Sequence, residues 1–368
     1  MNIRRQYSRR RLLGAAGAAI SGLAGRLAMP RLVFAQNKKS ATFTLAWVPE
    51  GSDLFAFTAK GMGFWDKHGL DVSIARGTGS VAAAEATGTG RFDFGRAAAS
   101  AAILQNVKGL PVTALGCCQY DGTMGIGVLD DGPIKTPKAL EGRKLASTAT
   151  SGDHPLLPAY AAKARFDLSK VDRLQTEPNV RNRLLSERQV DAISGFAVSI
   201  MPIYAATGVK AHFMLYSAVG LVNYGYVLLA TPQRLAAEPQ LCAAFVDGML
   251  EGLKATMLDP GEAMKLFFKQ VPEMALAEQA REQIRVGTGI MVYVAANPVI
   301  KTNGLGWIEP TAYQAQTDLV MQYLAKPGDK RPTMDELMTN RFIGSVKFSA
   351  DEFVAAQKNS QEFRAYVT

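Results

Sequence analysis

The strongest constraint on this chain is a rhythm. Short apolar runs of strand length alternate with helical runs, and the turns between them are rich in glycine. Residues 45–96 show it best. Leu45-Ala46-Trp47-Val48-Pro49 closes a first strand, and a short helix ends at Gly61-Met62-Gly63-Phe64-Trp65. Lys67-His68-Gly69-Leu70-Asp71-Val72 enters a second strand, Gly77-Thr78-Gly79-Ser80 turns into another helix, and Gly90-Arg91-Phe92-Asp93-Phe94-Gly95 carries a third strand. Strand, helix and strand in that order build a parallel sheet whose loops open at one edge.

The alternation continues. It predicts strands over Thr42–Trp47, Val72–Ala75, Phe92–Gly95, Val112–Cys118, Met124–Leu129, Lys144–Ser147, Arg173–Gln175, Ala192–Ser194, Ala211–Leu215 and Tyr224–Ala230. After Thr231-Pro232 the pattern is nearly all helical. Leu241, Phe245, Met249 and Leu253 fall on one helical face, with Asp247, Glu251 and Lys254 opposite. The fold class is α/β, and the length allows two lobes.

The first 35 residues read as an address. Ser8-Arg9-Arg10-Arg11-Leu12-Leu13 precedes a Gly/Ala-rich apolar stretch from Gly14 to Leu27, and Val33-Phe34-Ala35 ends in a small-residue cleavage pattern. Ser-Arg-Arg-x-Leu-Leu is close to the twin-arginine motif. Ser21 and Arg26 interrupt the apolar stretch well short of a membrane span. The expectation is export to the periplasm with cleavage near Ala35. With no cysteine in the segment, a lipoprotein-type anchor is not expected.

That segment also carries most of the charge. Seven of the 41 Lys and Arg residues lie in it and no acid does, which leaves 34 basic residues against 32 acidic ones. The formal charge of +9 belongs mainly to the address, and nothing beyond it marks a nucleic-acid surface. Cys117, Cys118 and Cys242 are an odd number. One of the adjacent pair can bridge to Cys242, or all three can be buried thiols. No metal-ligand spacing occurs among the cysteines and three histidines.

Three short motifs carry a family resemblance. The first is the Trp47-Val48-Pro49 to Gly95 stretch above. The second is Ile134-Lys135-Thr136-Pro137-Lys138-Ala139-Leu140-Glu141-Gly142-Arg143-Lys144, with Ser186-Glu187-Arg188-Gln189-Val190-Asp191-Ala192 after it. The third is Thr339-Asn340-Arg341-Phe342. Together they span about residues 42–344 and resemble the NMT1/THI5-like branch of periplasmic solute-binding proteins, which serve ABC importers of sulfonates, taurine, nitrate, riboflavin and pyrimidine precursors.

The resemblance implies a two-lobed type II periplasmic binding protein fold. Each lobe would be a mostly parallel sheet flanked by helices. Lobe one would comprise residues 36–130 and 223–348, and lobe two residues 131–222, with hinge crossings near Met124–Asp131 and Leu221–Ala230. Asp130-Asp131-Gly132-Pro133 and Asn223-Tyr224-Gly225 supply turn residues there. Residues 349–368 form a helical tail, opened by the capping box Ser349-Ala350-Asp351-Glu352.

In such sheets a ligand sits beyond the carboxyl ends of the strands. Trp47 there can stack on a planar ligand or fill the core. The pyrimidine-binding members continue with Asn and His, whereas this chain reads Glu50-Gly51-Ser52-Asp53. Asp53 is expected to cap the helix Leu54–Lys60, with ligand recognition as the other role. Thr78 lies in a glycine turn that favours an anion, or is a plain turn residue. Arg76 and Arg96 can fork onto a carboxylate or sulfonate, or stay solvated. Ser100 follows the third strand. Thr148 to Pro155 forms an anion nest in which Ser151 offers a hydroxyl and His154 donates to ligand or caps the turn. Phe196, Ser199 and Tyr224 complete the lobe-two wall, or pack in the core.

The function so implied is the solute-binding component of an ABC importer. It would be a monomer that closes on a small anionic or heteroaromatic solute and hands it to a membrane permease and its ATPase, with no cofactor, metal or nucleic acid. An enzyme of the pyrimidine-precursor synthase type is the alternative, but no catalytic constellation stands out. A sensor ectodomain would use the same clamshell.

Overall fold

The computed structural model describes residues 38–221, 223–276 and 278–368, so the expected signal segment 1–35 lies outside the described residues. Ten strands form two five-stranded mixed sheets. The first contains β1 (Lys39–Thr44), β2 (Leu70–Ala75), β3 (Phe94–Ala98), β4 (Thr113–Cys117) and β10 (Tyr226–Ala230), in the order β2-β1-β3-β10-β4. The second contains β5 (Met124–Leu129), β6 (Lys144–Ser147), β7 (Asp172–Gln175), β8 (Ala192–Phe196) and β9 (Ala211–Leu215), in the order β7-β6-β8-β5-β9. The lobes are a two-lobed α/β fold, as the sequence implied.

Each sheet holds one strand that runs against its neighbours: β10 pairs antiparallel with β3 and β4, and β5 with β8 and β9. The reason is the path of the chain. Strands that end at the cleft face the same way, and a chain that has just crossed enters its new sheet from the cleft side. It must therefore run backwards.

This path corrects one boundary. β5 belongs to the second sheet, so the first crossing is residues 118–123 and lobe two begins near residue 124 rather than 131. Its six residues are all buried, which made an apolar crossing and a buried central strand indistinguishable by pattern. The second crossing is residues 216–225. The two lie side by side: Gly122 N–H donates to Asn223 C=O at 3.0 Å, and a Cβ on Gly225 would stand 1.7 Å from the Gln119 carbonyl oxygen. Only glycine permits that approach.

Central strands β3, β8 and β10 and edge strand β4 are buried along their whole length, whereas edge strand β7 is exposed at every residue. In lobe one the helix Pro239–Leu258 buries Leu241, Phe245, Met249 and Leu253. Phe245 stacks on Phe94 at 3.8 Å and on Trp65 at 5.7 Å, and the Trp65 indole N–H donates to the Phe245 carbonyl. Gly252 lets this helix meet the helix Leu54–Gly61, since a Cβ there would lie 2.4 Å from the Phe55 carbonyl oxygen.

The tail docks on lobe one. Ser349 and Glu352 form the reciprocal capping box of the helix Ala350–Lys358, and Phe363 packs where a Cβ on Gly289 would otherwise sit. Cys117, Cys118 and Cys242 are free and buried, so the bridge to Cys242 does not form. Burial pushes the Cys118 thiol up to about 12 and the Cys242 thiol up to about 11.

Candidate functional site

The carboxyl ends of the strands other than β5 and β10 lie toward the contact between the two lobes. Val81 N–H donates to Thr150 C=O at 3.1 Å, and Thr150 Oγ1 donates to Thr78 C=O at 2.6 Å. Ser199 Oγ donates to the Glu50 carboxylate at 2.6 Å. Glycines make the contact possible from both sides. A Cβ on Gly79 (φ +141°) would sit 2.1 Å from the Thr150 carbonyl oxygen. One on Gly152 would sit 3.1 Å from Ser80 and 3.2 Å from Ala98. The lobes are therefore closed.

Closure leaves two adjoining spaces. One, of about 10 Å³, lies between Ala46, Trp47, Ser80 and Tyr226 of lobe one and Ser151, Arg181, Phe196 and Ser199 of lobe two. The other is an open cleft of about 650 Å³ that also borders Trp47 and Ser199, with Arg76 and Arg183 on its rim.

Arg181 is the charged residue that lines the smaller space, and Arg96 and Asp53, which line neither space, form a buried pair in lobe one. Arg96 on β3 and Asp53 before the helix Leu54–Gly61 are 1% and 0% exposed, and Arg96 Nη1 donates to Asp53 Oδ1 at 2.5 Å. The guanidinium lies 4.1 Å from the ring centre of Tyr226 and 5.4 Å from that of Phe55. Asp53 thus makes no side-chain cap, contrary to its expected role. Its carboxyl is pushed up to about 6 by burial, against the pull of Arg96. Glu50, held by the Ser52 and Ser199 hydroxyls, is pushed up to about 7, first by burial and then by Asp53.

Arg181, in the helix Pro178–Ser186, is the lobe-two counterpart. It is 2% exposed, its guanidinium carbon lies 5.6 Å from the Trp47 ring centre, and Nε donates to Asn182 Oδ1 at 3.2 Å. A Cβ on Gly195 would approach Nη1 to 3.0 Å, so glycine makes room for the guanidinium. Burial holds Arg181 below the usual arginine range, and nearby Asp153 opposes the shift. Asp153 is buried and accepts from Ser151 Oγ. Among the described residues, Arg96 Nε and Nη2, Arg181 Nη1, Asp53 Oδ2, Asp153 Oδ2, Ser100 Oγ and Thr148 Oγ1 are buried without a protein partner. Such groups are costly unless something meets them.

The structure brings Trp47, Ser151 and Phe196 together at the small space, with Phe196 5.3 Å from Tyr226. Arg96 and Ser100 are buried in lobe one. Arg76 is exposed on the cleft rim, and exposed Thr78 contributes its carbonyl to the lobe contact. His154 is half-buried, its imidazole held below the usual range by burial, with Nδ1 unpartnered. Asp93 is structural, accepting from the Thr42 amide and hydroxyl at 2.8 Å.

Tyr224 is elsewhere. It packs against Tyr120 and Tyr313 in lobe one, and its hydroxyl accepts from Glu309 N–H at 3.0 Å, so it forms no part of a lobe-two wall. It precedes β10, outside the ladder whose alternation would have aimed it, and Tyr226 takes the place at the cleft. Arg181, Glu50, Asp153 and Tyr226 were not singled out as ligand residues from sequence. The one legible signal for Arg181 was Glu177-Pro178, a helix start just after a strand.

No group of His, Cys, Asp and Glu side chains able to hold a metal occurs among the described residues, and no described helix is long and apolar enough to cross a membrane. No curated protein matches the chain. Among solved structures it is similar to a protein of Bordetella bronchiseptica (TM-score 0.66, 18% identity, covering 89% of this chain and 99% of that one). It is similar also to the periplasmic aliphatic sulphonate binding protein SsuA from Escherichia coli (0.60, 15%, 81% and 96%). A third is a mutant of DSZB in complex with biphenyl-2-sulfinic acid (0.55, 15%, 82% and 97%). At these identities the likeness is one of fold. The pattern described as NMT1/THI5 like matches residues 54–263, more than half of the chain, and the chain belongs to that family.

Proposed function

We propose that this chain is the extracytoplasmic solute-binding component of an ABC importer, capturing a small organic oxyanion between its lobes for a membrane permease and its ATPase. The observation that carries the reading is the pair of buried arginines. Arg96 comes from lobe one and Arg181 from lobe two, and each keeps N–H groups that no described protein atom accepts. An oxyanion admitted by parting of the lobes, which leave only about 10 Å³ beside Arg181 as they stand, would satisfy them with charge-assisted hydrogen bonds worth about 1.5–3 kcal/mol each.

Buried acids stand beside the arginines: Asp53 is paired with Arg96, Asp153 accepts from Ser151 and lies near Arg181, and burial favours the protonated form of Glu50. The preference for an oxyanion therefore rests on the N–H groups left without acceptors rather than on net charge. The paired crossings at residues 118–123 and 216–225 serve as the hinge. Ligand contacts to both lobes shift the population toward closure, and no bond is made or broken. Two proteins of like fold take organic oxyanions, an aliphatic sulphonate in one and biphenyl-2-sulfinic acid in the other, and this supports the oxyanion class.

Calorimetric titration of the purified chain with sulfonates, carboxylates, flavins and pyrimidines tests the proposal. An oxyanion should bind, Arg181→Ala should lose it, and scattering should report a more compact protein with ligand. A flat response across the panel refutes solute capture, and turnover of a bound compound would reassign the site to catalysis. Cell fractionation that leaves the protein in the cytoplasm would refute the periplasmic assignment.

A further inference from the structure

A further cavity, of about 360 Å³, shares no lining residue with either space between the lobes. Three separate parts of the chain build it. Tyr120 and Asp121 come from the first crossing, Tyr293 and Asn297 from the end of the helix Ala280–Ala295 and just beyond it, and Gln357 and Gln361 from the tail. The fixed charge around it is all of one sign. Asp121 Oδ1 accepts from the Thr123 N–H at 2.6 Å, and no Lys, Arg or His among the described residues lines the cavity to match the carboxylate. Burial accordingly lifts the Asp121 carboxyl above its ordinary range, with the Thr123 amide opposing. The helix Ala280–Ala295 adds the negative end of its dipole, and no basic residue stands in its last turn.

Such a lining calls for a cation. A metal ion is a poor match, since one carboxylate and no His or Cys face a cavity far larger than an ion fills. An organic cation fits better. Tyr120 and Tyr293 bring aromatic rings, whose faces attract ammonium groups, and Gln357 and Gln361 bring amide oxygens that accept from N–H groups. We propose that this cavity is a second binding site, for a small organic cation whose ammonium or guanidinium group meets the Asp121 carboxylate beside Tyr120 and Tyr293. The site depends on the tail, which lies beyond the matched residues 54–263, and it does not depend on what the cleft takes.

Titration calorimetry of the purified chain with methylammonium, putrescine, guanidinium and tetramethylammonium chlorides, against sodium and calcium chlorides, tests this. At least one organic cation should bind at least about tenfold tighter than sodium or calcium. Asp121→Asn, which keeps the shape and removes the charge, should weaken that binding at least about tenfold. Because Asp121 also holds Thr123, a second variant leaves that bond intact. Gln361 is exposed on the tail, and Gln361→Trp should plug the cavity and abolish binding. Binding by no organic cation, or by sodium or calcium equally well, would overturn the inference. Organic-cation binding that survives either variant would place the cation elsewhere and overturn it too.

Discussion

The Arg96 guanidinium meets the Asp53 carboxylate at 2.5 Å with both side chains closed off from solvent, although 43 residues separate them in the chain. The pair joins the middle of β3 to the start of the helix Leu54–Gly61 inside lobe one. Its desolvation cost is met only while both partners are present.

Removing one partner should therefore be severe. Asp53→Ala leaves Arg96 buried and unpaired, and should lower stability by about 3–5 kcal/mol. The double variant Asp53→Leu/Arg96→Met should recover much of that loss. Urea unfolding followed by circular dichroism checks both. A single variant as stable as the parent would show that the pair is not buried in solution.

Glu50 should make stability depend on pH. Its folded value, about 7, stands above the ordinary 4.5, so the native state binds the extra proton. The contribution is fully present below about pH 4.5 and is lost as pH rises through 7. Glu50→Gln should flatten the stability profile between these limits while Asp53, raised to about 6, keeps a smaller slope of the same sign. Unfolding midpoints at several pH values measure this. An unchanged profile in the variant would place the proton elsewhere.

Closure should depend on Gly152. Gly152→Val puts methyl groups into the contact with Ser80 and Ala98, where a Cβ alone already approaches to 3.1 Å. Because the position lies between the lobes, the lobes should fold normally, with solute affinity down at least about tenfold and a larger radius of gyration with ligand present. Parental affinity would mean that binding does not need this contact.

The three thiols should be silent. Cys117, Cys118 and Cys242 are buried and free, and burial raises all three above the ordinary thiol range. A thiol-exchange dye should label none of them in the native protein within an hour and all three in guanidinium. Rapid labelling of the native protein would contradict the packing of β4 or of the helix Pro239–Leu258.

Much of the scaffold was legible because it is written in local patterns. Met124–Leu129, Lys144–Ser147 and Ala211–Leu215 are strands to the residue, and the Ser349–Glu352 capping box opens its helix as its spacing implied. The membership of β5 was not legible. An apolar run of six looks the same whether it bridges two lobes or sits at the centre of a sheet.

Sequence alone determined the alternation of elements, the Ser349–Glu352 capping box and the family motifs, since each is written in residues within a turn or two of one another. Tertiary structure decided which polar groups meet. Asp53 gave up a cap three residues away for an arginine on β3, Arg181 reached Trp47 only by docking of the lobes, and Tyr226 took the cleft position expected of Tyr224. Those pairings are set by sheet order and by a crossing made twice, and distance along the chain carries no trace of either.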